Sequence, residues 1–320
     1  MILTEEDFAT LAEIREPLDR FGPETERPFL AIRVTDGAIA HAEFIRMLPC
    51  PVLAIGPSEA PLVQACDVQL DDESALPVIA RTISHAPIAS TILVQHLRAS
   101  ERLPVLEALT AESLAYATVQ RGQDFLRWRA EAPCSVPPGG IDPLAILRDG
   151  DILDLRLDNP AARNAIDATM RDALCEALDL ALSDDTIARV RLTATGQCFS
   201  TGGEVSEFGL VADPATAHWI RSLRLPATRA AQLRDRLEAH IDGAAIGAGI
   251  EIAAFASRLT ATRRSWFQLP ELDYGLIPGA GGTVSMSRRM GRQRTAWLAL
   301  TKKRLSAAKA LEWGLIDAIL

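Results

Sequence analysis

The stretch HIDGAAIGAGIEIAAFASRLTATRRSWFQLPELDYGLIPGAGGT, from His240 to Thr283, decides which fold and chemistry we expect of this chain. A turn of small residues, Gly243 to Gly249, leads directly into an apolar segment of helical character, Ile250 to Phe255. Glycines let a backbone approach a ligand closely, and a helix start offers unpaired N–H groups to negative charge. The turn therefore predicts a site that stabilises negative charge.

Two carboxylates accompany this turn. Glu251 lies in the first turn of the predicted helix, and Glu271 follows Pro270, ahead of the glycine cluster at 279–282. An acid in a first helical turn is favourable by about 0.3 to 1 kcal/mol in any helix, so either glutamate alone also has a purely structural explanation. Two acids beside an anion-friendly turn nevertheless favour proton-transfer chemistry.

Composition narrows the function classes. The chain has 320 residues, 48% of them hydrophobic and 23% charged, as in an ordinary globular protein with one large domain or two. Its formal net charge of −9 argues against general attraction to nucleic acid or to an anionic membrane. We expect neither as a partner.

Residue types exclude further chemistries. Lysine occurs only at 302, 303 and 309, so most of the chain cannot supply a Schiff-base nucleophile. The cysteines are odd in number and lack C-x-x-C spacing, which indicates neither a disulfide framework nor a zinc site. The acidic N-terminus lacks the basic and apolar segments of a secretory signal, and no long apolar run could span a membrane. We expect no bound metal and a cytoplasmic location.

The N-terminal part, residues 1–131, predicts a small α/β region. FLAIRV (29–34) and PVLAIG (51–56) have the character of short buried strands, and VQLDDES (68–74) of a third. A helical pattern follows, in which Thr110 with Glu112 in the first turn predicts a helix start. The prolines and glycines of APCSVPPGG predict a linker over 132–140.

Residues 141–320 predict repeated strand–loop–helix units. The strands Ile152–Leu157 and Arg189–Ala194 flank a helix that Asp167 caps. Parallel-sheet enzymes use such units to gather ligand-binding backbone at one sheet edge. Gly247-Ala248-Gly249 lacks the third small residue of a dinucleotide loop, and no G-K-[ST] occurs, so NAD and ATP are not expected.

The region from about 142 to 320 resembles the crotonase (enoyl-CoA hydratase/isomerase) family. The resemblance is carried, in family order, by NPAARNAID (159–167), CFSTGGE (198–204), GAAIGAGIEIA (243–253), FQLPELDYGLIPGAGGT (267–283) and AAKALEWGLID (307–317). It implies an α/β fold with a crotonase-like repeated ββα core, and an acyl-CoA substrate. It implies no cofactor beyond the coenzyme A of that thioester.

The resemblance also implies that two backbone N–H groups, those of Gly203 and Ala248, hold the thioester carbonyl. Such donors stabilise enolate charge on that oxygen by about 3 to 4 kcal/mol each. Glycine at 202 and 203 would permit the close approach of the substrate. The alternative is that both turns are merely tight.

Glu251 and Glu271 occupy the positions of the glutamates in family hydratases. Such a pair can bracket one water, one carboxylate taking its proton while the other delivers a proton to Cα. We therefore expect addition of water to a 2-enoyl-CoA. The alternatives are an isomerase, lyase or hydrolase with the same oxyanion turns, or a non-catalytic CoA-binding or assembly subunit.

The loop with Arg163 and Ala165 resembles the one that runs along the nucleotide end of CoA. Arg163 could meet a phosphate as a planar fork, although a solvated loop arginine is an equal alternative. Family members have an aspartate where this chain has Glu204, and we expect the longer acid to shift the loop contacting the nucleotide.

The chain stops soon after GLID, where relatives continue with a helical tail that caps the acyl site and often builds a trimer. We expect 109–129 to cover the face left exposed, through the apolar side chains of Leu114, Tyr116, Phe125, Leu126 and Trp128. We also expect a homo-oligomer, possibly a trimer or hexamer. The strands before 109 could be a degenerate partial copy of the same architecture.

Overall fold

A computed structural model of the chain describes residues 2–35, 41–57, 60–132, 142–211 and 213–320. The strands are β1 (Ile2–Thr4), β2 (Leu30–Arg33), β3 (Val52–Ile55), β4 (Val68–Leu70), β5 (Leu144–Asp149), β6 (Ile152–Leu157), β7 (Arg189–Ala194), β8 (Cys198–Ser200), β9 (Leu237–Ile241), β10 (Ala244–Ile246), β11 (Arg258–Ala261), β12 (Trp266–Gln268), β13 (Leu305–Ser306) and β14 (Ala318–Ile319).

The helices alternate with these strands. They are α1 (Glu5–Glu13), α2 (Ala42–Met47), α3 (Pro61–Ala65), α4 (Leu76–His85), α5 (Pro87–Ser100), α6 (Val105–Val119), α7 (Gln123–Glu131), α8 (Ala168–Ser183), α9 (Pro214–Leu223), α10 (Pro226–Leu233), α11 (Ala248–Ala253), α12 (Gly282–Met290), α13 (Arg292–Thr301) and α14 (Ala307–Trp313).

The N-terminal α/β region predicted from the sequence is confirmed. Strands β1 to β4 form a parallel sheet in the order β1-β2-β3-β4, with α1, α2 and α3 in the connections. The nearly continuous apolar runs of FLAIRV and PVLAIG explain the two central strands, which are buried on both faces. A separate apolar core, with Phe8, Ile32 and Ile45 among its fully buried members, lies within this region.

The C-terminal region has the predicted repeat of two strands followed by helix. A six-stranded sheet has the order β14-β11-β9-β7-β6-β5, and a four-stranded sheet has the order β13-β12-β10-β8. Each of the consecutive pairs β7/β8, β9/β10 and β11/β12 places its first strand in the larger sheet and its second in the smaller one. Asp167 caps α8 as predicted, accepting from the N–H of Met170 at 2.8 Å.

The predicted helix start at Thr110 is wrong. Helix α6 begins at Val105, directly after Pro104, which has no N–H to contribute and a fixed φ. The hydroxyl of Thr110 instead bonds the carbonyl of Leu106 at 3.1 Å, inside the helix. Glu112 therefore lies in the helix interior, on its buried face.

Helices α4 to α7 share their apolar core with the C-terminal sheets. One continuous cluster contains Ile79, Leu93 and Phe125 together with Leu155 and Ile250. The predicted linker 132–140 lies outside the described residues except for Ala132, so the boundaries 1–131 and 141–320 stay predictions.

The segment 109–129 packs against the C-terminal region of its own chain, through fewer side chains than expected. Phe125 is buried, and Tyr116 and Trp128 are partly buried against the shared core. Leu114 and Leu126 are 51% and 38% exposed, because they lie on the outward faces of α6 and α7. Their predicted packing is wrong.

In the described parts of the chain, no single helix has both the length and the apolar character needed to cross a membrane. Only Glu73–His85 and Pro87–Ser100 taken together meet these criteria, and they form a pair bent by 109°.

A buried ion cluster joins the N-terminal sheet to the rest of the fold. Asp67, just before β4, accepts from Arg98 Nε of α5 at 2.7 Å and from the N–H of Val52 at 2.8 Å. Arg292 of α13 donates to the carbonyl of Cys66 at 2.7 Å and lies 3.7 Å from Asp67. The side chains of Asp67, Arg98 and Arg292 are 2%, 8% and 9% exposed.

Asp67→Asn should lower the free energy of unfolding by about 3 kcal/mol or more, because it leaves buried guanidinium charge unpaired. Urea denaturation measures this as a lower midpoint at unchanged m-value. The control Glu73→Gln breaks the exposed Arg33–Glu73 pair, and we expect it to cost at most about 1 kcal/mol. Equal losses of unfolding free energy in the two variants would show that the cluster does not stabilise the contact between the N-terminal sheet and the rest of the fold.

Candidate active site

The two small-residue turns meet because β8 and β10 are parallel neighbours in the smaller sheet. The carboxyl ends of parallel strands lie at one sheet edge, so the turn after β8, at 201–204, comes beside the start of α11 after β10. A cavity of about 240 Å³ opens there, walled also by parts of α6, α8 and α9. Gly203, Glu204, Ala248, Glu251 and Glu271 all line it.

The two predicted glutamates converge in this cavity. Glu251, from α11, is 2% exposed, and Glu271, from the short helical turn Glu271–Tyr274, is 8% exposed. A Cβ atom built on Gly247 would lie 2.6 Å from Glu271 Oε1 and 3.9 Å from Glu251 Oε1. Both carboxylates therefore face the same point above Gly247. Position 247 requires glycine, because any side chain there would collide with Glu271.

The environments of the two carboxylates differ. Glu251 Oε2 accepts from the N–H groups of Ala280 and Gly282, each at 2.8 Å, which favours the charged form. Burial outweighs these bonds and raises the pKa of Glu251 to about 7. Glu271 Oε2 is buried without a hydrogen-bond partner among the described residues.

Burial, reinforced by the neighbouring charge of Glu251, raises the pKa of Glu271 well above its usual range. Glu251, with its two backbone donors, is therefore the more readily ionised carboxyl of the pair, and Glu271 the more readily protonated one. This difference suits one proton acceptor and one proton donor in the same cavity.

Two backbone donors complete the cavity wall. The N–H groups of Gly203 and Ala248 donate to no protein acceptor within the described residues. The turn holding Gly203 is fixed on both sides, since Ile166 donates to the carbonyl of Gly202 at 2.7 Å and Glu204 donates to that of Ile166 at 3.2 Å.

Glycine is required at 202 by this close approach. Gly202 has a φ of +85°, and a Cβ there would lie 2.6 Å from the carbonyl oxygen of Ile246 and 3.3 Å from the nitrogen of Ala248. The turn carrying the N–H of Gly203 therefore packs against the start of α11, which carries that of Ala248. The two backbone donors predicted from the sequence therefore lie on neighbouring turns.

The remaining predicted residues lie at or beyond the edge of the cavity. Glu204 lines the cavity and caps the next turn, accepting from the N–H of Ser206 at 3.1 Å and from its hydroxyl at 2.7 Å. Arg163 is exposed on its loop with a φ of +52°, and Ala165 is 8% exposed. Neither Arg163 nor Ala165 forms part of the cavity wall.

Helix α6 contributes residues that the sequence did not assign to the site. Tyr116 and Gln120 line the cavity, with the Tyr116 ring against Gly279 and the Arg221 guanidinium 4.6 Å above that ring. Glu112 is fully buried behind them. The signal was its helical spacing from Ala108 and Leu109, which puts an acid on an apolar face.

The family model for enoyl-CoA hydratase/isomerase matches residues 148–320. The chain belongs to this family. The resemblance found in the sequence is thus confirmed, and the C-terminal region has the crotonase fold.

Similar relatives include an enoyl-CoA isomerase/hydratase of Mycosarcoma maydis, 33% identical over 52% of this chain and 65% of its own length. The 2,3-dehydroadipyl-CoA hydratase of Escherichia coli K12 is 29% identical over 55% of this chain and 68% of its own. A solved enoyl-CoA hydratase subunit I from Geobacillus kaustophilus HTA426 is 25% identical with a TM-score of 0.51, covering 55% of this chain and 68% of that one. The matched segment thus spans about two thirds of these relatives.

Gly247→Ala should abolish turnover, because its Cβ would displace Glu271 and its backbone has a φ of +48° that alanine rarely adopts. Gly150→Ala is the matched control, since Gly150 also has a positive φ, +60°, but has no atom within 4 Å of an added Cβ. Steady-state assays of acyl-CoA turnover on folded protein should show that Gly150→Ala retains its activity. An active Gly247→Ala would contradict the convergence of the carboxylates at this point.

Proposed function

We propose that the chain is an enoyl-CoA hydratase-type enzyme that adds water across the 2,3 double bond of an acyl-CoA thioester. The observation that carries the proposal is the convergence of Glu251 and Glu271 on one point, in a cavity with the unbonded N–H groups of Gly203 and Ala248. Family membership supports an acyl-CoA substrate.

In the proposed reaction the thioester oxygen accepts from the N–H groups of Gly203 and Ala248. Ionised Glu251 removes a proton from a water molecule as its oxygen bonds to Cβ, and the double-bond electrons move towards the thioester as an enolate. The protonated Glu271 then donates its proton to Cα while the carbonyl re-forms. Transfer of the proton from Glu251 back to Glu271, directly or through water, restores the starting state.

The two carboxylates favour hydration over the alternative reactions. Moving a double bond needs one group that removes a proton and returns it, whereas adding water needs an acceptor and a donor at once. The different environments of Glu251 and Glu271 supply both. An assembly subunit would be favoured by a collapsed pocket, and the open cavity argues against it.

The CoA nucleotide, in this proposal, passes the loop of Arg163 and Ala165 outside the cavity, where the exposed guanidinium can meet a phosphate. We also propose a homo-oligomer, trimeric or hexameric. Exposed apolar side chains support it, among them Trp219 and Leu223, which share one face of α9 and are 62% and 49% exposed.

Glu251→Gln and Glu271→Gln should each lower the rate of crotonyl-CoA hydration by about 10²-fold or more, the loss expected for a general base or acid, while CoA affinity changes little. Loss of the enoyl thioester absorbance measures the rate. Glu312→Gln, on an exposed acid of α14, is the control and should turn over normally. Wild-type rates in either active-site variant would exclude this mechanism.

Ala248→Pro should abolish turnover, because proline removes the N–H proposed to bind the thioester oxygen. The substitution tests that donor selectively, since Ala248 is the first residue of α11, where proline is compatible with a helix and no helical bond uses the N–H. Ala248→Gly keeps the N–H and should retain most activity. Equal activity in the two variants, compared by kcat/KM at equal folded fraction, would count against the oxyanion assignment.

A further inference from the structure

The first turn of α12 binds two carboxylates that are far apart in the sequence, Glu112 and Glu251. Glu251 Oε2 accepts from the N–H groups of Ala280 and Gly282. Glu112 accepts from the intervening groups, with Oε1 2.7 Å from the nitrogen of Gly281 and Oε2 3.0 Å from that of Thr283. Four consecutive N–H groups therefore alternate between the two acids.

Glu112 accepts more hydrogen bonds than capping of the helix requires. It is completely buried, and its Oε2 also accepts from the hydroxyl of Thr283. That hydroxyl lies 2.8 Å from Nε2 of the buried His96 on α5. These bonds fix the Thr283 side chain between α5, α6 and α12.

The turn leaves no room for independent movement of Glu251. A Cβ at Gly282 would lie 2.7 Å from Glu251 Oε2, so backbone and carboxylate are in direct contact. A displacement of 280–283 would therefore move the hydrogen-bond donors of Glu251. Whatever fixes this turn also fixes Glu251.

We propose that Glu112 is a positioning residue, which holds the first turn of α12 and through it orients the carboxylate of Glu251 in the active site. Glu112 lies outside residues 148–320, the part that matches the family. The N-terminal region thus supplies an acid that the family segment does not contain. The inference rests on the proposed function only in treating Glu251 as the proton acceptor.

The electrostatic consequence concerns Glu271. Burial, with the charge of Glu251, raises the pKa of Glu112 to about 8. Above that pH the charge on Glu112 adds to the repulsion that keeps Glu271 protonated. Removing this charge should let Glu271 lose its proton at lower pH.

Two titratable groups near Glu112, those of His96 and Tyr116, keep their protonation states between pH 6 and 9. Burial lowers the pKa of His96 to about 4 and raises that of Tyr116, so both stay neutral. Arg221 of α9, whose Nε donates to the hydroxyl of Ser113 at 3.0 Å, keeps its charge. His218 bonds the hydroxyl of Ser113 at 2.9 Å, next to Glu112 on α6. A shift in the alkaline limb therefore does not arise from His96, Tyr116 or Arg221.

The test compares Glu112→Gln with Glu107→Gln, an exposed acid on the same helix. Glu112→Gln should lower kcat about 10-fold with little change in KM, and move the alkaline limb of kcat/KM to lower pH by about half a unit or more. Glu107→Gln should leave both unchanged. A uniform loss of rate with an unmoved pH profile would overturn the proposal, because a merely structural residue behaves in that way.

Two further measurements cover other outcomes. Thr283→Val keeps the side-chain volume but removes the hydroxyl bound to Glu112. It replaces Glu112→Gln as the test if that variant does not fold, and it should lower kcat by less than about 10-fold. Carbon-13 titration of the labelled glutamates needs no turnover, and the Glu271 signal should titrate at lower pH in Glu112→Gln. An unchanged titration overturns this inference even if the wild type hydrates enoyl-CoA, whereas an inactive wild type with a shifted titration refutes only the proposed function.

Discussion

The geometry of the site depends on the alternating hydrogen bonds that the first turn of α12 donates to Glu112 and Glu251. A helix start carries N–H groups that the helix cannot satisfy, and burying them without acceptors would be costly. Glu112 and Glu251 satisfy them from two sides. The same contacts partly offset the cost of burying two carboxylates, so neither half of the arrangement is favourable without the other.

Backbone packing imposes the second constraint. The turn after β8 and the start of α11 approach so closely that side chains at Gly202 and Gly247 would strike a carbonyl oxygen and a carboxylate, respectively. Such proximity aligns donors before substrate binds, and preorganised donors lose little energy to reorganisation during reaction. Glycine thus sets the distance between these two turns and the acid pair.

Local signals could be recognised in the sequence, and long-range ones could not. The strands β2, β3 and β7, the cap at Asp167 and the pair Glu251 and Glu271 follow from short apolar runs, capping chemistry and short motifs. Glu112 meets Gly281 across 169 residues, and no local pattern encodes that contact. With the start of α6 predicted at Thr110, Glu112 had the position of an ordinary first-turn carboxylate. Its spacing from Leu109 instead puts it on the buried face of the helix.

The N-terminal region therefore has two physical parts. One face of the β1–β4 sheet packs on a core of its own, whereas the other face of that sheet and α4 to α7 bury apolar side chains in the core of the C-terminal region. Only the second part contacts the acid pair, with Glu112 behind Glu251 and Tyr116 on the cavity wall. Because Tyr116 and Gln120 lie against Arg221 of α9 on the cavity wall, substitutions at these two positions can change the shape of the cavity without touching Glu112.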